Sequence, residues 1–263
     1  MLKALFTSAT GMKAQQLTVD VISNNIANAN TGGFKRSQIN FQDLLYVTLQ
    51  RAGADVAQGL QTPSGLQLGS GVRAISTTKV FTPGVLQETR RDLDVAIDGN
   101  GFFQVTLPDG SLAYTRDGAL QRDALGNLVT NEGYRLNPPI TIPADAIGIQ
   151  IGRDGTVSVV TAAAPETPTS VGQMQVARFA NPSGLEALGS NLFRETAASG
   201  TASLLVPGTQ GAGTLVQFFV EGSNVDIVSE LVNLIVAQRA YEVNSRAIRT
   251  GDEMLSQTNA LVQ

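Results

Sequence analysis

The residues of this chain that could do chemistry are carboxylates and glycines. Asp92, Asp94 and Asp98 crowd one short run, and carboxylates so grouped invite calcium. Their spacing is not D-x-D-x-D-G, and no bidentate Glu stands at the twelfth position, so they read as solvated strand-edge carboxylates. Asp117 and Asp123 form a pair that would do acid–base work if burial separated their pKa values. Aspartates in turns usually serve backbone hydrogen bonds instead, which gives a periplasmic hydrolase little weight. Gly69-Ser70-Gly71 opens like a dinucleotide fingerprint, yet Thr77, Thr78, Val80 and Phe81 continue as a β-rich run where a helix is needed. The chain has no Cys, His or Trp. That excludes thiolate and imidazole metal sites, cysteine nucleophiles and every triad with a histidine base. No catalytic residue, cofactor or metal is expected.

Stepping out to the elements, the region Ser223 to Val262 predicts a long helix. Ser223-Asn224-Val225-Asp226 can cap its start. No proline follows, and Gly251 is the only glycine. Some 38 residues would span roughly 57 Å, enough to project from a body. Val225, Val228, Val232, Val236, Ala240, Val243, Ala247, Thr250, Met254, Thr258 and Leu261 form one stripe at helical spacing. A second column, Ile227, Leu234, Tyr241, Ile248, Leu255 and Val262, recurs every seventh residue. A helix apolar on two sides needs neighbours on both. The stripe is assigned to a partner helix within the chain and the column to neighbouring subunits. Glu230, Asn233, Gln238, Arg239 and Glu242 break the apolar runs too often for a membrane span.

Residues 2–28 predict a second helix, with Leu2, Leu5, Ala9, Met12, Gln16, Val19, Ser23 and Ile26 as a heptad seam. Periodicity leaves two readings open: the terminal helices pair as a coiled coil, or each packs on a globular body. The 263 residues are 42% hydrophobic and only 15% charged, against about a quarter charged in ordinary soluble proteins. Such a surface suits a protein covered by partners. The net charge of -4, with no basic cluster, excludes nucleic acid. The start of the chain lacks a secretory apolar region, so export, if it occurs, is expected without a cleaved signal.

Between the helices the chain changes character several times. Asn24, Asn25, Asn28 and Asn30, followed by Gly32 and Gly33, should end the first helix. Residues 37–50 are amphipathic. Residues 52–70, rich in glycine, glutamine and threonine with Asp55 as the single charge, read as a linker or a loop ordered by partners. Residues 74–160 alternate short β-runs with turn dipeptides such as Asp109-Gly110 and Asp154-Gly155. A flexible joint or exposed loop is expected at 161–172 and further strands at 173–222. The expected fold class is α+β: long terminal helices flanking an inserted, mostly antiparallel β-domain. Its parts are a terminal assembly domain (1–45 with 223–263), an extended segment (46–73) and a β-rich outer domain (74–222).

The run Asn24-Asn25-Ile26-Ala27-Asn28-Ala29-Asn30-Thr31-Gly32-Gly33-Phe34-Lys35-Arg36 resembles the signature of the flagellar rod, hook and hook-associated protein family. Glu230-Leu231-Val232 and Gln238-Arg239-Ala240-Tyr241-Glu242-Val243-Asn244-Ser245 are similar to its C-terminal end, and Asp98–Phe103 and Tyr114–Gly118 to its central domain. The segment holding Pro63, Gly65, Leu66, Gly69 and Gly71 resembles an extension that marks the distal-rod member. The resemblance implies paired terminal helices, with assembly seams at Leu5, Met12, Val19 and Ile26 against Val236 and Val243, and at Leu234, Tyr241, Ile248 and Leu255. It also implies a homopolymeric helical tube transmitting torque across the periplasm. Proximal-rod and hook subunits would meet its ends, ring proteins would surround it, and the flagellar export apparatus would deliver it. A proximal-rod or hook subunit is the alternative within the family.

Overall fold

A computed structural model describes residues 2–53, 55–57, 60–61, 63–162 and 164–261. Val262, the last member of the heptad column, lies outside them. The chain divides by packing into two units. The first is Met1–Ile26, Ser37–Thr78 and Asp226–Gln263; the second is Ala27–Arg36 and Lys79–Val225.

In the first unit, α1 (Leu2–Ala27) and α2 (Ile227–Leu261) are the two expected helices. The 35 residues of α2 give a rod of about 52 Å. Asp226 caps it: Oδ1 accepts from Val228 N (3.2 Å) and Oδ2 from Ser229 Oγ (2.6 Å). Ser223 stands outside the helix and accepts from Val225 N instead. The two helices meet at three points. Asn25 Nδ2 donates to Glu230 Oε2 (3.2 Å), a Cβ on Gly11 would lie 3.1 Å from the Asn244 side chain, and one on Gly251 would lie 2.7 Å from Leu5 Cδ2. Numbers rise along one helix as they fall along the other, so the two run antiparallel.

This reverses the assignment of faces on α2. Val236 and Val243, expected against α1, are 61% and 60% exposed, and Val228 and Val232 are exposed as well. Leu234, Ile248 and Leu255, expected to face other subunits, are half-buried on the same face as Glu230, Ala237 and Gly251, which are buried; Tyr241 of that column stays largely exposed. The buried and half-buried positions 230, 234, 237, 244, 248, 251 and 255 fall on the fours and threes of a helix seam, with Tyr241 as its exposed member. On α1 the buried positions are Ala14, Ile22 and Asn25, while Leu5, Met12, Val19 and Ile26 are half-buried. Size explains the exchange. Gly11 and Gly251 leave room for the Asn244 and Leu5 side chains of the facing helix, room that a β-branched valine on the seam would fill. Ranking residues by hydrophobicity overlooks glycine and alanine as seam residues.

The same unit carries an arm of strands. β1 (Ser37–Asp43) pairs with β6 (Val72–Lys79), β2 (Val47–Gln50) with β5 (Leu66–Leu68), and β3 (Asp55–Ala57) with β4 (Leu60–Gln61). Among its described residues the expected linker at 52–70 thus holds the strands β3, β4 and β5, and Leu66 and Leu68 alternate with the strand period. Lys3 Nζ donates to Leu68 O (2.9 Å) and Val72 N to Thr10 Oγ1 (3.3 Å), tying the arm to α1.

The second unit is β-rich. One seven-stranded sheet runs, in spatial order, Gln121–Arg122, Leu128–Val129, Arg135–Asn137, Phe103–Thr106, Leu112–Thr115, Leu192–Arg194 and Glu186–Gly189, with every neighbouring pair antiparallel. A three-stranded sheet joins Ala146–Ile151, Thr156–Thr161 and Ala164–Gln173. That last strand occupies the joint expected at 161–172; pairing with Thr156–Thr161 overrides the alanine and proline signal. Val95, Ile97, Phe103, Val105 and Leu215 belong to the main core. A second cluster packs Phe102, Tyr114, Phe179 and Phe193 edge to face.

Candidate assembly interface

The asparagine-rich motif is best understood from what holds it. In the first unit, Asn25 is buried, and its amide donates to Ser37 O and accepts from Ser37 N (2.9 Å each) besides meeting Glu230. It thus carries the backbone of the arm and the first turn of α2 on one side chain. Asn24 is exposed.

In the second unit, Asn28 O accepts from Thr31 N and its Oδ1 from Thr31 Oγ1, closing the turn after α1, while Asn30 is exposed. Gly33 has φ +69°, and a Cβ there would sit 2.7 Å from Asp117 N. Only glycine fits both the left-handed backbone and that approach. Its N–H donates to Glu221 O (2.7 Å). Phe34 is buried beneath Lys79 Nζ, 4.6 Å from the ring centre.

Lys35 is fully buried, and its Nζ donates to Glu221 Oε1 (2.6 Å) and Thr82 O (2.7 Å). Arg116 grips the same carboxylate, Nε to Oε2 at 2.8 Å and Nη2 to Oε1 at 3.1 Å, and Gly84 N also donates to Oε1. Burial, then the nearby Arg116 charge, push the Lys35 pKa below its ordinary value, with Glu221 opposing. Three residues on, Asn224 accepts from Arg36 N (2.7 Å) and donates to Val80 O and Thr82 O. Glu221 and Asn224 therefore stitch 33–36, 80–84 and the end of the β-body together immediately before α2.

Sequence reasoning missed Glu221, and met Arg116 only within the run Tyr114–Gly118 and Asn224 only within the helix cap. A lone carboxylate at the end of the apolar run Phe219-Val220-Glu221 was the available signal, because such a charge is buried only with partners.

The extended segment places its marked residues on the arm. Pro63 and Leu66 are exposed. A Cβ on Gly65 would lie 2.7 Å from Gln50 O, Gly69 lies against the Tyr46 ring, and Gly71 against Thr10. Around them Leu45, Tyr46, Val47, Leu49 and Leu68 are exposed.

The carboxylates are turn elements. Asp117 Oδ1 accepts from Ala119 N (3.0 Å), and Asp123 from Leu125 N, Asn127 N and Asn127 Nδ2. Burial raises the Asp117 pKa, with Asp94 and Glu132 adding to it; the Asn127 hydrogen bond lowers that of Asp123. Asp94 is not a solvated strand-edge group: it is buried, in a bridge with Ala119, with Arg91 3.6 Å away. Asp92 and Asp98 are exposed. Among the described residues no helix is long and apolar enough to cross a membrane.

The long elements carry exposed apolar faces of the kind that partners cover, and the aspartates of the β-body serve its own turns. Comparison with known proteins gives the family. Residues 5–35 match "Flagella basal body rod protein", residues 96–159 "Flagellar hook protein FlgE/F/G D1 domain", and residues 216–261 "Flagellar basal body rod FlgEFG protein C-terminal". The chain is 52% identical over 261 residues to the flagellar basal-body rod protein FlgG of Buchnera aphidicola subsp. Schizaphis graminum, covering 99% of this chain and 100% of that one. It is 51% identical to FlgG of Caulobacter vibrioides (99% of each) and 42% identical to FlgG of Bacillus subtilis (98% of each). The chain belongs to the flagellar basal-body rod protein family, and its place is the flagellar basal body.

Proposed function

We propose that the chain is the distal-rod subunit, polymerising with copies of itself into a helical tube that carries torque from motor to hook. Within each subunit α1 and α2 pair in coiled-coil fashion and form the inner wall, and the β-body forms the outer one. The arm at 46–73 packs between subunits and stiffens the tube. Proximal-rod and hook subunits meet its two ends and ring proteins surround it. The flagellar export apparatus delivers the chain.

The observation that carries this reading is the outward stripe of α2: Val228, Val232, Val236 and Val243 are each more than half exposed. A buried valine side chain is worth roughly 1.5–3 kcal/mol, so a neighbouring subunit covering four of them gains a contact repeated along a polymer. The likeness of residues 62–73 to the distal-rod extension favours this subunit over a proximal-rod or hook one. Electron microscopy of concentrated protein tests it. Straight tubes are expected from the parent chain, and tubes that form but bend when residues 52–70 are deleted. A parent that stays monomeric at every concentration counts against the polymer, and a deletion tube as straight as the parent's against the role of the arm.

A further inference from the structure

A cleft on the β-body has a chemistry that neither the rod reading nor the turns explain. It measures about 190 Å³ and is lined by Phe81, Asn100, Gly101, Phe102, Arg116 and Phe179, with Arg178 at its side. Sites for drug-sized ligands run to roughly 300–1,000 Å³, so this one takes a side chain or a small molecule.

Its charge is one-sided. Behind the cleft, Lys35 and Arg116 are both held by the single carboxylate of Glu221. Arg178 is exposed, and among the described residues no carboxylate lies within salt-bridge distance of it. Its Nη1 donates to Gln210 O (2.6 Å), which holds the guanidinium in place while other N–H groups stay available. Arg116 gives its Nη1 protons to Gly99 O and Gly101 O and an Nη2 proton to Glu221 Oε1, with its Nε 2.8 Å from Glu221 Oε2 in the ion pair. The aromatic wall is stiff, with Phe81 and Phe179 each meeting Phe102 edge to face at 5.3 and 5.7 Å.

We propose that this cleft is a carboxylate-binding site, taking an acid group on a short apolar stem, with Arg178 and Asn100 as its main contacts. Arg178 supplies the fork that matches a carboxylate, the Asn100 amide a further donor, and the half-buried Phe81 ring a bed for the stem. Two sources present such a group: a small free carboxylate, or a glutamate side chain of a second copy of this chain. The inference does not rest on the rod reading.

Sodium propionate, titrated into the full chain with amide and arginine Nε–H NMR resonances followed, tests it. Propionamide and sodium chloride at matched ionic strength serve as controls. The expected result is a saturable shift at Asn100, Gly101, Phe102 and Arg178 with propionate and none with the controls. Arg178→Gln should weaken binding on the order of tenfold, and Asn100→Ala about twofold or more, both variants keeping the parent's spectrum elsewhere. If those resonances also move on raising the protein concentration alone, and propionate reverses the movement, the source is a second copy; if only propionate moves them, it is a free carboxylate. A propionate response matched by propionamide or chloride, absent altogether, or unchanged in Arg178→Gln overturns the proposal.

Discussion

Lys35 Nζ lies 2.6 Å from Glu221 Oε1, and neither side chain reaches solvent. Residues far apart in the chain are joined there, together with Arg116, so one carboxylate holds the motif loop against the β-body. Removing one partner of such a group leaves uncompensated buried charge, which typically costs about 3–5 kcal/mol. Glu221→Gln should therefore lower the unfolding free energy of the chain by about that amount. Adding Lys35→Met to it should recover part of the loss, since one stranded cation is gone. Urea unfolding checks both, and a double variant no better than the single one would mean that Lys35 is not the stranded charge.

Gly33→Ala should cost about 2–4 kcal/mol, from the left-handed backbone and from crowding against a neighbouring main chain. The crowding partner is named: the new Cβ would lie 2.7 Å from Asp117 N and 2.9 Å from Arg116 C. Gly53→Ala is the control, because its φ is +78° but nothing lies within 4 Å of the added Cβ. Equal losses in the two variants would show that backbone conformation alone matters at Gly33.

The two faces of α2 should answer differently to charge. Val236→Asp puts a carboxylate on a face already in water, so the isolated subunit should keep the parent's circular dichroism and melting temperature, yet build no tube. Ala237→Asp, one residue on, puts it at a position 2% exposed, and an unpaired buried charge costs several kcal/mol. It should lower helix content in the isolated subunit. If Val236→Asp assembles normally, the valine stripe is ordinary surface.

Asp117 gives a pH dependence with a definite sign. Its folded pKa is raised above the ordinary 3.8, chiefly by burial. The folded state therefore holds this proton more tightly than the unfolded state does. The resulting stability is present below 3.8 and lost as pH rises through the raised folded value. Asp117→Asn keeps the oxygen that accepts from Ala119 N and removes that loss. Unfolding free energies measured from acid to neutral pH should show the variant gaining on the parent as pH rises. Curves that stay parallel would contradict the assignment.

The sequence by itself determined the two helices, the asparagine–glycine stop after the first, the aspartate cap of the second and the turn-punctuated β-body. Each is written in local spacing, propensity or turn chemistry, which act over a few residues and need no partner. The family, too, was legible in the motif at 24–36. Tertiary structure alone decided which face of α2 turns inward: Gly251 makes room for the Leu5 side chain that a β-branched residue such as Val236 or Val243 would fill. It also made strands of residues whose composition reads as linker or joint, since pairing with Val47–Gln50 and with Thr156–Thr161 satisfies backbone groups that local propensity cannot count. Glu221 shows the same limit in one residue. Whether a carboxylate in a β-run is solvated or buried depends on where Lys35 and Arg116 arrive, and no spacing within the sequence brings those two cations to it.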